Sequence, residues 1–357
     1  MHVSISEIQS FLRCRRQWDY SSTSRQSLRP RKTPKVFLSG SAVHEAIDAQ
    51  AKGLDYAQAL EDYIESERQK QIELYREVTG VAPPHFEFKE FDEQADFARS
   101  LAVQYFEHYG EEPLASEGLE YVATEVSFKV PILIEGTKID FIGTWDGIAQ
   151  DTHGNVWLVE NKTASKRTNL DTLQYGNQYV GYPWAFQEIT GEPVKGVLYN
   201  GIIKKLIVPP RQLKSGKFST DKSQSTTAEE YMRAVIAARQ DPMEYVDTIE
   251  HFDRLGYGRF FHREKLYSTQ QQIENWGQNL YYWVYEMIQD PVIYPTIPWD
   301  GCASCHFRDL CHAQETGRGV PQAERLYEVG SYGTVETIER VAPDSVSSLE
   351  ELLDAVS

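Results

Sequence analysis

Three charged residues near the middle of the chain pose the first chemical question. Asp146 lies in "IGTWDGIAQ", and Glu160 and Lys162 lie in "WLVENKTA", both segments rich in β-branched and aromatic residues. Successive side chains of a strand alternate faces, so Glu160 and Lys162 point the same way and Asn161 the other. If the two strands pair about a turn at 151–155, Asp146 comes within reach of Glu160. Two carboxylates converging at a sheet edge repel unless a cation neutralises them, and hard oxygen ligands suit Mg2+ or Mn2+. A lysine beside such an ion can hold or deprotonate an attacking water, or offset charge growing on a phosphate. Alone, E-x-K is unspecific, because an exposed strand with a simple Glu–Lys pair carries the same letters.

Other groups of residues add to this centre. "GSAVHEA" supplies Gly40 and His44 at G-x-x-x-H spacing, with His44 near the start of a helix. In "LQYGNQYVGYPWAF", Gln178, Tyr182 and Ala185 recur at i, i+4 and i+7 and share a helical face, with Gln174 one turn earlier. That ridge can face the sheet as part of a site or as an ordinary helix–sheet contact. Near the C-terminus "CASCHFRDLC" gathers Cys302, Cys305 and Cys311, and the remaining cysteine is Cys14. Four cysteines in 357 residues make no disulfide scaffold, and clustered thiols in a reducing compartment more often bind metal. Four thiolates suit Zn2+ or an iron–sulfur cluster, and His306 and His312 keep a mixed zinc site open.

Elements must hold these residues in place. "SISEIQSFLRCRRQWDY" reads as one helix, with Ser4 and Glu7 at capping-box spacing and Ile8, Phe11, Cys14 and Trp18 along one stripe. A short helix at "GSAVHEAIDAQA" follows, then longer acidic amphipathic helices over 55–80 and 91–109. "YVATEVSFKVPI", "TKIDFIGTWDGIAQ" and "NVWLVENKTA" read as three consecutive strands, with turns at "LIEG" and "DTHG". A helix over about 170–189 and a strand in "VKGVLYNGIIKKLIV" come next. Residues 209–226 read as a mobile polar loop, and helices over about 227–240 and 268–289 lead back to the thiols.

Charge bounds the partners. The net charge of −17 argues against nucleic acid at first sight, because phosphate binding needs local positive charge. Its distribution matters more. Residues 48–120 carry 18 acidic and 6 basic side chains, and residues 321–357 carry 8 and 2. Residues 13–35 hold eight Lys/Arg against Asp19 alone, and residues 204–217 hold five with no acid. A chain acidic overall can still present a basic groove, or these can be two solvated loops. No apolar run approaches a membrane span and the N-terminus lacks a signal-peptide layout, so a soluble cytoplasmic protein is expected, with no membrane partner.

In chain order the sequence thus offers Cys14, G-x-x-x-H, G-x-x-D (Gly143 to Asp146), E-x-K, Q-x-x-x-Y-x-x-A (Gln178 to Ala185) and C-x2-C-x5-C. This series resembles the RecB-like branch of the PD-(D/E)XK nucleases over about residues 4–315. Within it, the series looks like the members with a split iron–sulfur site, the CRISPR-associated Cas-four exonucleases and the AddB nuclease domain. The resemblance implies an α/β fold with a mixed central sheet flanked by helices. A helical insertion at about 52–118 and a catalytic sheet at about 121–208 would sit in one domain, 1–320, followed by an acidic tail, 321–357.

It further implies that His44, Asp146, Glu160 and the backbone carbonyl of Asn161 bind Mg2+ or Mn2+. Lys162 would be the catalytic lysine, and Gln178 and Tyr182 would contact DNA or brace the site. Cys14, Cys302, Cys305 and Cys311 would hold a [4Fe–4S] cluster that clamps the chain's two ends around the core. Arg15, Arg16, Arg29, Arg31, Lys32, Lys204 and Lys205 would track the DNA backbone. Trp145, Tyr179 and Tyr182 can stack unpaired bases or serve as core. The activity implied is metal-dependent exonucleolytic cleavage of single-stranded DNA ends in recombination, replication or processing. The alternatives are a non-catalytic DNA-binding clamp, or a trimming subunit that docks on a partner such as the CRISPR adaptation machinery. Departures from the pattern are Glu160 where Asp is commoner, Trp145 rather than proline before Asp146, and the unexplained acidic segment.

Overall fold

The computed structural model describes residues 1–31, 38–84, 88–169, 173, 176–296, 302–303, 305–330 and 350–352. The chain opens with a short strand, β1 (His2–Ser4), and two helices, α1 (Ile5–Arg13) and α2 (Arg15–Ser21). The single N-terminal helix expected from periodicity is therefore broken, and the break falls at Cys14. Its backbone is extended (φ −159°, ψ 112°), so it closes α1 and opens α2 at once. Ser4 does cap α1, accepting from the Glu7 N–H, as its spacing implies. After β2 (Leu28–Pro30) come three helices, α3 (Leu38–Ala51), α4 (Tyr56–Thr79) and α5 (Lys89–Tyr109).

The β-rich middle forms β3 (Leu119–Ile134), β4 (Thr137–Asp151) and β5 (Val156–Ala164). Then follow α6 (Asn177–Thr190), β6 (Gly196–Ile203), α7 (Ala228–Ala237), α8 (Val246–Leu255), β7 (Phe261–Leu266) and α9 (Gln270–Ile288). The C-terminal segment contributes α10 (Arg308–Thr316), α11 (Val320–Glu324) and β8 (Tyr327–Val329). Strands β1, β4, β5, β6 and β7 lie in that order, with β3 also on β4; β1–β4 and β5–β6 are parallel and the rest antiparallel. The sheet is thus mixed.

Helices cover both faces of the sheet. On one side α1, α6 and α9 bury Ile5, Ile8, Phe11, Phe186, Trp276 and Leu280 against Phe128, Phe141 and Tyr199. On the other, α3, α4 and α5 bury Ala42, Val43, Leu60, Leu101 and Tyr105 against Ile202 and Phe261. Ile202 and Phe261 are cross-strand partners, one step out of phase with Tyr199, so strand alternation divides the two cores. Each fully buried side chain of this size contributes roughly 1.5–3 kcal/mol, so the helices are held by their apolar stripes. The acidic segment is part of this layer: α4 and α5 turn their apolar stripes inward and their acids outward, with Glu61 bridged in bidentate fashion by Arg99 (2.6 and 2.7 Å).

Residues 209–226 are more organised than a loose polar loop. Leu213 and Lys217 close a tight turn, and Phe218 is buried with Tyr231, Val235, Tyr245 and Phe252 in a small core of its own. In the C-terminal segment, Leu352 is buried in the main core and Tyr327 packs with Phe307, so the acidic run also carries anchoring apolar side chains.

Candidate functional site

One edge of β4 lies along β3, and its other edge is divided. Asp140–Ile142 pair with β1, Gly147–Gln150 pair with β5, and among the described residues Gly143–Asp146 have no strand partner on that edge. The fork leaves room for polar side chains. Asp146 Oδ2 accepts from the Asn161 N–H across it at 2.8 Å. On β5, Glu160 stands opposite Tyr199 and Lys162 opposite Gly201, one residue apart on the same face, as alternation requires.

Glu160 is 2% exposed, and its Oε1 accepts from Gln178 Nε2 at 2.7 Å and pairs with Lys162 Nζ. Its Oε2 is buried and has no hydrogen-bond partner among the described residues. Gln178 sits in the first turn of α6, and one turn on, the Tyr182 hydroxyl is hydrogen-bonded to Gln178 and to the backbone of Thr144. The Q-x-x-x-Y spacing is therefore a brace between the Glu160 strand and the Asp146 strand. Gln174 and Lys32 lie outside the described residues. Trp145 and Tyr179 are buried and serve as core rather than as stacking platforms.

The glycines of the two G-containing motifs are spacers. A Cβ at Gly143 would lie 2.5 Å from Phe128 Cζ and 3.2 Å from Tyr182 Cε1, so its absence lets the Tyr182 ring approach β4. A Cβ at Gly40 would meet Thr163 Oγ1 at 2.6 Å and Lys204 Nζ at 3.2 Å. Gly40 thus lets α3 close on the end of β5, and His44 follows one turn later beside Asp146.

Electrostatics favour a cation here. Burial holds the His44 imidazole below its usual range, with Lys162 and Lys204 acting the same way and Asp146 opposing. A neutral imidazole keeps a lone pair for a metal. Burial, and next the charge of Asp146, push the Glu160 carboxyl up to about 8, while Lys162 pulls it back. Burial depresses the Lys162 ammonium, but Glu160 and Asp146 outweigh that and hold it above its ordinary value. Among the described residues no three His, Cys, Asp or Glu side chains stand close enough together to enclose an ion. The donor set nevertheless fits a hard divalent cation: the Asp146 and Glu160 carboxylates, a neutral imidazole and the orphaned Glu160 Oε2.

A further acid belongs to this centre. Glu125 on β3 adopts φ 51°, a conformation unusual for a non-glycine residue, and its partners Thr124 and Val126 face Gly147 and Trp145. It therefore stands opposite Asp146. Crowding, followed by the charges of Asp146, Asp48 and Glu45, pushes its carboxyl up to about 8; its contact with solvent screens part of that push. The signal was countable. The two-residue turn Glu135–Gly136 fixes the hairpin register, and counting back from Ile134↔Thr137 puts Glu125 across from Asp146.

The four thiols are free and lie where the chain's two ends meet. Cys305 and Cys311 pack half-buried beside Tyr20, Phe307 and Leu310, whereas Cys302 is exposed. Burial raises the Cys305 thiol, and the nearby Cys14 and Cys302 raise it further. Cys311 is hydrogen-bonded by the Arg16 side chain. The same ends are also joined without any metal. Arg16 pairs with Glu315, Tyr20 Oη donates to Gln314 Oε1 at 2.5 Å, the Tyr20 and Phe307 rings lie 5.4 Å apart, and β2 pairs with β8.

That clasp absorbs much of the first basic stretch. Arg15 pairs with Glu286 and lies 4.6 Å over the Phe11 ring; Arg29 donates to the Ser21 and Leu28 carbonyls; Arg31 reaches the Tyr327 carbonyl and Glu328. In the second stretch, Lys204 adjoins Gly40 and Thr163 beside the site, and Lys205 lies 5.9 Å over the Phe260 ring.

Comparison with known proteins gives a family match of broad coverage. The sequence model of the PD-(D/E)XK nuclease superfamily matches residues 2–312. Among solved structures, the crystal structure of SSO0001 matches 87% of this chain and 86% of its own at 13% identity, with a TM-score of 0.32, too low to carry an argument. No curated protein matches. No helix among the described residues is long and apolar enough to cross a membrane.

Proposed function

Since the chain belongs to the PD-(D/E)XK nuclease superfamily, we propose that it is a metal-dependent DNA exonuclease of the RecB-like branch, acting on single-stranded ends. The observation that carries this reading is Glu160: buried, held by Gln178 and Lys162 through one oxygen, and left without a partner at the other. A buried unpaired carboxylate oxygen costs free energy that a ligand would recover. His44, Asp146, Glu160 and the Asn161 backbone carbonyl would hold Mg2+ or Mn2+. Such an ion, when bound, lowers the pKa of a water and offsets charge on the scissile phosphate.

The chain's own residues do the rest. Lys162, kept protonated beside Glu160, offsets negative charge that grows on the phosphate during in-line attack. Gln178 fixes the Glu160 carboxylate, and Tyr182 fixes Gln178 against Thr144. Glu125, next to Asp146, would add negative charge once a cation there displaces its proton. Lys204 flanks the site and would meet the DNA backbone.

We place a [4Fe–4S] cluster at Cys14, Cys302, Cys305 and Cys311, where it would reinforce contacts that already join the chain's ends. Support for that assignment is the four free thiols near this junction, with Cys14 and Cys302 close enough to Cys305 to raise its thiol. A colourless protein with stoichiometric zinc and no iron would overturn it. For the activity, anaerobically purified protein is incubated with end-labelled DNA and Mg2+ or Mn2+, alongside Glu160→Gln and Lys162→Ala. Cleavage by wild type alone is the expected result; equal cutting by all three would refute the active-site assignment.

A further inference from the structure

One buried group on the catalytic face takes no part in the chemistry described so far. Gly201 on β6 is the cross-strand partner of both Lys162 on β5 and His262 on β7. The three residues form one row across the sheet, on the face that also carries Glu160 and Tyr199. His262 fills the space that a side chain at 201 would occupy: a Cβ there would lie 2.3 Å from its Cε1 and 2.6 Å from its Nε2. The histidine is 5% exposed, yet among the described residues neither Nδ1 nor Nε2 has a hydrogen-bond partner.

A buried imidazole normally satisfies at least one nitrogen, and leaving both unpaired is costly because each has lost its water. Its surroundings are suited to an anion. Arg167, three residues past the end of β5, is near enough to His262 to disfavour a second positive charge, and Arg167 is itself about half exposed and paired with Glu264 at 3.2 Å. Thr168 offers a hydroxyl beside it, bonded to Tyr199 Oη at 3.0 Å, and the Tyr199 ring lies 5.4 Å from the imidazole. Two interstrand spacings, about 9.6 Å, separate His262 from Lys162 along the row. That separation is wide enough for the two positions to hold different phosphates of one strand.

We propose that His262, with Arg167 and Thr168, forms a phosphate-binding subsite for the nucleic-acid strand, one step along from the phosphate held at Glu160 and Lys162. It rests on the nuclease reading above and adds a determinant of how the strand is registered. A neutral imidazole donates one N–H to a phosphate oxygen, and the missing side chain at Gly201 is what lets the His262 ring lie in this row. The phosphate can be an internal diester or a terminal monoester, which present the same oxygens.

The test compares wild type with His262→Phe, which keeps a ring but removes both nitrogens, and His262→Gln, which keeps a donor. Binding of a fluorescent single-stranded oligonucleotide is followed by anisotropy with metal chelated, using 5′-phosphorylated, 5′-hydroxyl, 3′-phosphorylated and circular forms. His262→Phe is expected to weaken binding by about tenfold, with His262→Gln recovering part of the loss. Weakening confined to one phosphorylated end identifies a terminal phosphate. Equal weakening on all forms, the circle included, identifies an internal diester. Thermal melting of each variant separates folding from binding. A His262→Phe protein that melts at or above the wild-type temperature and binds every form as tightly overturns the subsite. Wild type that binds no DNA at all refutes the nuclease reading instead.

Discussion

Replacing Glu160 with Gln is expected to change how stability depends on pH, in a way that its loss of activity alone would not reveal. The carboxyl is 2% exposed and pushed up to about 8 by burial and by Asp146. In the unfolded chain it returns to its ordinary value near 4.5. Between those two values the folded protein holds a proton that the unfolded chain has released, so folding is favoured at low pH and loses ground as pH rises. Below about 4.5 this contribution is fully present, and it is lost as pH rises through about 8. From pH 6 to pH 8 the linkage amounts to about 2 kcal/mol, at 1.36 kcal/mol per pH unit less the partial ionisation near the upper end. Gln carries no such proton. Urea unfolding with chelator present, at pH 6, 7 and 8, should show wild type losing about 2 kcal/mol relative to Glu160→Gln across that range. Added Mn2+ should restore wild type at pH 8, since a cation replaces the proton, and should stabilise the variant less. Parallel stability profiles for the two proteins, with no selective rescue by Mn2+, would refute the reasoning about the buried carboxylate.

Other changes test neighbouring parts of the structure. Gln178→Ala removes the 2.7 Å bond that orients Glu160, and a drop of roughly 10–100-fold in cleavage with weaker Mn2+ binding is expected, measured by single-turnover assay and titration calorimetry. Gly143→Ala places a methyl 2.5 Å from Phe128 Cζ, so urea unfolding should register a loss of about 1–3 kcal/mol, and an unchanged midpoint would show that the ring moves aside freely. Cys14→Ser should lower the iron content of anaerobically purified protein, read by absorbance and metal analysis. Tyr20→Phe cuts the bond to Gln314 and should cost about 1 kcal/mol in urea even in protein stripped of metal, because the clasp has contacts of its own.

The strands of the candidate site were legible because β-branched and aromatic density sets β4 and β5 apart from the acidic helices. The period of two then places Glu160 and Lys162 on one face. Helical spacing likewise put Gln178 and Tyr182 together on α6. Cys14 was misjudged because Ile8, Phe11 and Trp18 keep an apolar stripe through the break, and only the backbone at Cys14 leaves the helix. Strand β1 has three residues, too few for any period to show, and it exists because the vacant edge of β4 accepts it. Strand β7, "FHREKL", escaped notice because its outward positions are charged; Arg263 reaches Asn200 and Tyr105 and Lys265 reaches the Glu117 carbonyl, contacts no local pattern encodes. His262 went unread for the same reason. The basic stretch at 13–35 suggested a DNA groove, yet most of its arginines face partners at the other end of the chain, a pairing visible only in three dimensions.

The way the two ends meet also sets a timetable for synthesis. Cys14 and Cys302 are 288 positions apart, and at 5–20 residues per second a ribosome needs roughly 15–60 s to pass from one to the other. During that interval β1 has no β4 until more than a hundred further residues have emerged, and α2 has no α10 until nearly all have. The apolar stripe of Ile5, Ile8, Phe11 and Trp18 must therefore wait exposed, or be shielded by a chaperone, while the rest is translated. A message truncated before Cys302 would yield a chain in which α1 can still pack on α6 and α9 but α2 has no α10 to pair with.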